Sequence, residues 1–190
     1  MMLRLASCFL IAFGILITSS TVANAAEDKA KQRAEIRKTS QAILKKLYRA
    51  NPSAKGAIKS AAGYATFSNF GMKIFFAGGG SGSGIAVNNA TKQAVFMKMF
   101  EVQAGLGLGI KKFNVVFVFD TTSALDSFIN SGWEFGGQTT AAAADGERGG
   151  SFQGAVSVMP GVWMYQMTDK GLALEVTGKG TKYYKNDDLN

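Results

Sequence analysis

The stretch Gly78-Gly79-Gly80-Ser81-Gly82-Ser83-Gly84-Ile85-Ala86-Val87 places glycines at alternate positions and then continues as an apolar run. A second stretch, Gly105-Leu106-Gly107-Leu108-Gly109, repeats the spacing. The glycines that form the two stripes are Gly80, Gly82, Gly84, Gly105, Gly107 and Gly109. Successive side chains of a β-strand point to opposite faces, so each stripe leaves one face bare. A bare face is typical of sharp curvature or close approach by another segment, so the stripes predict a tightly bent antiparallel sheet.

Helical signals lie on both sides of this glycine-rich region. Residues 27–50 are rich in Ala, Lys, Arg, Glu and Gln, with apolar residues at helical spacing, which predicts an amphipathic helix. Asn51-Pro52 should end it, because the residue before proline avoids the helical region. A short helical turn is predicted over 54–62, and a second short helix over 121–130, with Thr121 or a neighbouring hydroxyl residue as its cap.

Strand signals fill most of the remaining sequence. Their short spacing favours an antiparallel sheet or barrel over alternating βαβ units. The predicted fold is α+β: a strongly curved, barrel-like antiparallel sheet with an N-terminal amphipathic helix and a short second helix near 121–130. Strands are expected at 64–67, 72–76, 85–87, 93–100, 102–110, 114–119, 151–159, 162–167 and 172–177, with turns at 68–71, 88–91 and 111–113, a loop over 136–150 and a polar tail over 181–190.

The N-terminus has the pattern of an export signal. Arg4 precedes an apolar run over 10–17, and Ala23-Asn24-Ala25 is a small-x-small cleavage site. The run is shorter than the roughly 20 residues that span a bilayer, so cleavage after Ala25 is expected, the alternative being an uncleaved anchor. The one cysteine, Cys8, lies inside this signal. An exported chain without disulfides suits a bacterial periplasm, so we expect an exported, periplasmic protein that associates peripherally with a membrane.

The positive charge is concentrated in one segment. The chain carries a formal net charge of +8, and residues 27–60 hold 10 basic and 3 acidic side chains, whereas residues 61–190 hold 10 of each. This predicts four parts: a signal over 1–25, a basic amphipathic helix over 26–53, a binding domain over 54–180 and the tail. The basic face is either a plain solvated surface or a contact with an anionic membrane, and both can hold together.

The residue types exclude most catalytic chemistry. The chain contains no histidine, and the expected mature chain contains no cysteine, so the commonest bases, nucleophiles and soft metal ligands are missing. Asp120 and Asp126 form the one close acidic pair inside the region expected to be structured, and Asp120 is explained by its place beside a helix N-terminus. The glycine run lacks the Gly-Lys-Ser/Thr of a phosphate loop. We therefore expect no enzyme activity, metal or cofactor, and export argues against a nucleic-acid partner.

Several segments together resemble the SYLF domain family, a lipid-binding family whose yeast relatives are also described as actin-binding. The resemblance covers 54–177 and rests on Ala54-Lys55-Gly56-Ala57, Gly63-Tyr64-Ala65-Thr66-Phe67, Lys73 before 77–84, the run 103–109, the run 115–119, Ala124-Leu125-Asp126-Ser127-Phe128 and Lys170-Gly171-Leu172-Ala173-Leu174-Glu175. It implies a non-enzymatic domain with a curved sheet that binds phospholipids, phosphoinositides in eukaryotic members. Many members carry a Trp-Ser-x-Pro-like segment where this chain has Phe96-Met97-Lys98-Met99-Phe100.

The sequence thus predicts peripheral binding to an anionic phospholipid membrane. The expected lipid-binding residues are six cations and two apolar residues of a tip: Lys45, Lys46, Arg49, Lys55, Lys59, Lys73, Phe70 and Met72. One alternative is a protein-interaction or scaffolding module of the cell envelope, with actin as the partner in eukaryotic relatives. Another is a carrier that holds a lipid in a glycine-lined cavity.

Overall fold

The computed structural model describes residues 15–74, 77–104, 109–135, 153–168, 171–173 and 180–190. The helices and strands, in chain order, are α1 (Ile15–Ala50), α2 (Ser53–Ser60), β1 (Gly63–Ile74), β2 (Ala77–Asn88), β3 (Ala94–Ala104), β4 (Gly109–Phe119), α3 (Thr122–Ser131), β5 (Trp133–Phe135), β6 (Val156–Met159), β7 (Val162–Thr168), β8 (Gly171–Ala173) and β9 (Thr181–Lys185). The strands form one antiparallel sheet in the order β5-β9-β3-β2-β1-β4-β7-β6, with β8 paired to β7. The sheet curls into a half-barrel, which confirms the predicted α+β class and the N-terminal helix.

Each face of the sheet is covered by helices. The face toward α3, here called the α3 face, carries a cluster of aromatic rings. The ring centroid of Phe67 lies 4.7 Å from that of Tyr183 and 6.0 Å from that of Phe128. The opposite face, the α1 face, packs Val116, Tyr165 and their neighbours against α1 and α2. Burial of each large apolar side chain contributes about 1.5–3 kcal/mol, so both layers are needed to hold the sheet.

The glycines of β2 let neighbouring segments approach closely on the α3 face. A Cβ at Gly84 would collide with the Thr66 carbonyl oxygen and the Phe67 ring, and one at Gly82 would lie 2.8 Å from Met99 Cγ. The space that the missing side chains leave at these two positions is therefore filled by packed side chains and backbone rather than by a lipid-sized cavity. Gly80 is paired with Gly71, Gly109 begins β4, and Gly105 and Gly107 lie outside the described residues.

The predicted turn at 68–71 is wrong. β1 runs without a break from Gly63 to Ile74. Within it, residues 68–71 pair with 80–83 on one side and with 111–114 on the other. The predicted turn at 111–113 is also wrong, because β4 continues through it. The predicted strands 93–100 and 102–110 are not separated at residue 101, because β3 continues through that position. Small and polar residues that favour turns locally are held extended here by hydrogen bonds from two neighbouring strands.

The C-terminal residues belong to the sheet. The predicted tail over 181–190 contains β9, which lies between β3 and β5. Leu189 is buried, and the Asn190 side chain exchanges two hydrogen bonds with the backbone of Phe96, each of 2.9 Å. The predicted loop over 136–150 lies outside the described residues.

Candidate functional site

Helix α1 is tied to the sheet along its C-terminal half. Ile43 and Leu47 are buried against the α1 face. Thr66 Oγ1 donates to Ser40 Oγ at 2.7 Å, and Arg33 Nε donates to the Leu189 carbonyl at 2.7 Å. The Arg37 guanidinium lies 5.0 Å from the Phe96 ring centroid, a cation–π contact. This apolar and polar docking fixes which side of α1 faces solvent.

The solvent side of the two helices presents the predicted cations, here called the basic surface: Lys45, Lys46, Arg49, Lys55 and Lys59. Lys45, Lys46 and Arg49 line one shallow groove of about 600 Å³ on α1. Lys46 is half-buried and donates to the Thr168 carbonyl at 3.0 Å, whereas Lys45 and Arg49 are exposed. Three of the six predicted cations therefore come together on one helix.

Helix α2 continues this surface. It buries Ala54, Ala57 and Ile58 and turns Lys55 and Lys59, which lie one helical turn apart, toward solvent. The sequence contains no Asp or Glu between residues 36 and 100. In the parts of the chain that the structure describes, the exposed cations Lys45, Arg49, Lys55 and Lys59 make no ion pair. These four cations therefore face solvent without a described acidic partner.

The predicted apolar tip lies elsewhere on the sheet. Phe70, Met72 and Lys73 belong to β1, where Phe70 pairs with Ser81, but their side chains lie outside the described residues. β1 begins at Gly63, directly after α2, and at about 3.4 Å per residue Phe70 is roughly 24 Å further along the strand. The structure thus separates the tip from the α2 cations by most of the length of β1.

A buried polar pair on the α3 face was missed from the sequence. Glu101 is 1% exposed, and its Oε2 accepts a hydrogen bond of 2.6 Å from Asn69 Nδ2. Burial, together with this carboxylate, raises the pKa of the Tyr183 hydroxyl well above its usual range. The alternation of side chains along β3 could have predicted that Glu101 is buried. Residues two apart share a face of a strand, and Met97 and Met99 both point into the core.

The acids considered for catalysis hold structural positions. Asp120 Oδ2 accepts from Trp163 Nε1 at 3.4 Å, directly before the cap of α3, and Asp126 is exposed on that helix. Within the described ranges, no group of three His, Cys, Asp or Glu side chains could hold a metal ion. Within the same ranges, no helix combines the length and the apolar character needed to cross a bilayer.

Comparison with known proteins identifies the domain. Residues 100–190, which run from β3 to β9, match the model of a family described as "Ysc84: Las17-binding protein actin regulator". Residues 100–190 therefore match the SYLF-family domain. The expected resemblance is thereby confirmed, and this family is one of binding domains rather than of known enzymes.

One relative extends the similarity toward the N-terminus. A protein of Aeromonas veronii named beta cell expansion factor A is 30% identical over 159 residues, which is 83% of this chain. The chain spans 58% of the length of that relative. The similarity therefore concerns the part that the two proteins share.

Proposed function

We propose that this SYLF domain binds anionic phospholipid membranes peripherally and that the basic surface is its electrostatic contact. The observation that carries the proposal is the group of exposed cations on α1 and α2 without acidic neighbours in sequence from 36 to 100. Such a surface is attracted to lipid phosphates and would be released by salt.

The expected strength is modest. Each cation near an anionic surface contributes about 1 kcal/mol, so four engaged cations would give roughly 4 kcal/mol, which corresponds to about millimolar affinity. Insertion of Phe70 or Met72 must add to this for useful binding. Because the tip lies far along β1 from α2, contact by both groups would require the bilayer to lie along the length of that strand.

Export and a periplasmic location are part of the same proposal. Residues 25–32 of α1 are exposed, and the first described hydrogen bond from α1 to the rest of the domain is that of Arg33 to Leu189. Cleavage after Ala25 would therefore remove none of the described contacts between α1 and the sheet. The secreted form, residues 26–190, is the one to test.

The test is co-sedimentation of residues 26–190 with phosphatidylcholine vesicles and with vesicles that also contain phosphatidylglycerol, at low and high salt. We expect binding only to the anionic vesicles. Replacing both Lys45 and Arg49 with Glu should weaken binding at least about 30-fold, since two contributions of about 1 kcal/mol are lost. The same charge change at Lys92 and Lys185, both exposed and outside the basic surface, is the matched control.

Two results would contradict the proposal. One is binding that neither the Lys45/Arg49 double variant nor Phe70→Ser weakens. The other is an equal loss in the Lys92/Lys185 control, which would show a response to net charge rather than to this surface.

A protein partner is the second candidate, because the matched family is described by its binding of Las17 and its regulation of actin. In an exported protein the partner would be an envelope protein. This alternative would be favoured if the protein bound neither kind of vesicle but captured one envelope protein, and if the Lys45/Arg49 double variant no longer captured that protein.

A further inference from the structure

A groove separate from the basic surface lies between α1 and the α1 face of β1, β2, β3 and β9. Its volume is about 620 Å³, within the range of small-ligand sites. Ser68, Ser81 and Ser83 line it from β1 and β2, and Ser68 pairs directly with Ser83. Because these side chains are small, they do not fill the space between α1 and the sheet here, and a hydroxyl-lined floor remains open.

Two aromatic rings line the groove on the side of β3 and β9. Phe100 is 50% exposed and Tyr184 is 37% exposed. Tyr184 pairs with Lys98, two residues before Phe100, so the two rings are diagonal neighbours on one face of the sheet. Most of the described aromatic side chains are buried, so a pair of rings open to solvent in a groove points to contact with a ligand.

The remaining lining mixes polar residues with the apolar side chains of Ile36, Met99 and Leu189. Gln32, Glu35 and Thr39 form the α1 wall, and Asn186 lies among the lining residues contributed by the segment after β9. Asn186 is 5% exposed, and its Oδ1 is buried without a hydrogen-bond partner. An unmet buried acceptor costs about 1–3 kcal/mol and calls for a donor. That acceptor has no accessible surface, so a ligand in the groove does not reach it without a local rearrangement.

We propose that this groove binds a saccharide. One face of a pyranose ring is a set of C–H groups that can stack on Phe100 and Tyr184, while its hydroxyl rim both donates and accepts hydrogen bonds. The serine floor, the amides and Glu35 offer the complementary donors and acceptors. Charge favours a neutral ring, because Glu35 repels anions and Lys98 is already paired with Asp188 at 2.8 Å.

A bilayer fits this groove poorly. The rings border a recess floored by hydroxyl groups, whereas membrane insertion requires apolar side chains that protrude together. The proposed saccharide site is therefore independent of the basic surface, and each can fail without the other.

The test is saturation-transfer NMR of residues 26–190 with three neutral trisaccharides: maltotriose, cellotriose and chitotriose. We expect saturation transfer to the ring protons of at least one of them. Phe100→Ala and Tyr184→Ala should each weaken binding about fivefold, the loss of one stacking contact. Ser81→Leu should abolish it by filling the floor.

Val102→Ala is the matched control. Val102 is 52% exposed and lies on the same strand and face as Phe100, but it does not line the groove. Unchanged binding in Val102→Ala beside weakened binding in Phe100→Ala would support the proposal. The proposal would be overturned if no saturation were transferred to any of the three trisaccharides. It would also be overturned if Phe100→Ala and Val102→Ala lost saccharide binding equally. A Phe100→Ala variant that keeps saccharide binding but loses vesicle binding would overturn it too, in favour of a membrane contact.

Discussion

The sharpest prediction concerns Gly84, at the centre of the sheet. A methyl group there would collide with the Thr66 carbonyl oxygen and lie 2.7 Å from Phe67 Cε1. Neither neighbour can move away easily. Thr66 belongs to a strand paired on both sides, and Phe67 is fully buried against Phe117 and Tyr183.

The magnitude follows from these contacts. Inserting a methyl group into a packed core costs about 1–3 kcal/mol, and a collision with a fixed backbone oxygen places Gly84→Ala at the upper end. For a domain of this size, about 3 kcal/mol corresponds to a fall in Tm of about 6–12 °C. Gly82→Ala should behave alike, because its Cβ would collide with the Ser68 carbonyl.

The assay is thermal and urea unfolding of four glycine-to-alanine variants. Gly79→Ala should change stability by less than about 0.5 kcal/mol, since its Cβ would meet only the Glu101 carbonyl at 3.6 Å. Gly56→Ala should stabilise by about 0.5–1 kcal/mol, because no atom lies within 4 Å and the position is inside α2. A Gly84→Ala protein as stable as Gly79→Ala would refute the close approach of β1 and β2.

Three further variants test separate contacts. Tyr165→Phe should raise stability by about 1 kcal/mol, because the hydroxyl is buried without a partner. Burial raises the pKa of Tyr165 from 10.0 to about 12, so the unfolded chain loses this proton at a lower pH than the folded protein does. The stability of the wild-type protein should therefore fall as the pH rises from 10 toward 12. The stability of Tyr165→Phe should fall less steeply over the same range. Asn89→Ala should cost about 1–2 kcal/mol in urea unfolding, because its Nδ2 donates to the carbonyls of Ile58 and Ala61 at the end of α2. Thr121→Ala should cost about 1 kcal/mol in the same assay, because its hydroxyl accepts from the backbone N–H three residues on.

Exposed neighbours serve as controls for these variants. Tyr184→Phe, Gln93→Ala and Ser123→Ala remove similar groups at exposed positions, so each should change stability by less than about 0.5 kcal/mol. A Tyr165→Phe protein that is less stable than Tyr184→Phe would mean that the buried hydroxyl has a partner. If Asn89→Ala or Thr121→Ala lowers stability no more than its control variant does, the hydrogen bonds of that side chain to the helix end do not stabilise the protein.

Local signals predicted the helices well. Asn51-Pro52 ends α1 at Ala50, and Thr121 caps α3, because chain termination and capping depend on a few adjacent residues. The exposure of Lys45 and Arg49 also followed from helical spacing, since an amphipathic helix must turn its polar side outward.

Long-range pairing accounts for what the sequence hid. Ser68-Asn69-Phe70-Gly71 favours a turn locally but lies in β1 between β2, the next strand along the chain, and β4, which is distant along it. Thr181 and Tyr183 point inward while Lys182 and Tyr184 point outward, an alternation too short to be recognised as a strand. The groove at Phe100 depends on how α1 crosses these strands, and no local pattern encodes that crossing.

The position of β9 has a consequence for how the chain acquires its structure. β3 finds its partner β2 through a short hairpin, but its other partner begins at Thr181, some eighty residues later in the sequence. While the chain folds, the free edge of β3 therefore presents unpaired N–H and C=O groups after β1–β4 have paired. That interval is when self-association between partly folded chains is easiest, and it ends only when residues 181–185 have docked against β3.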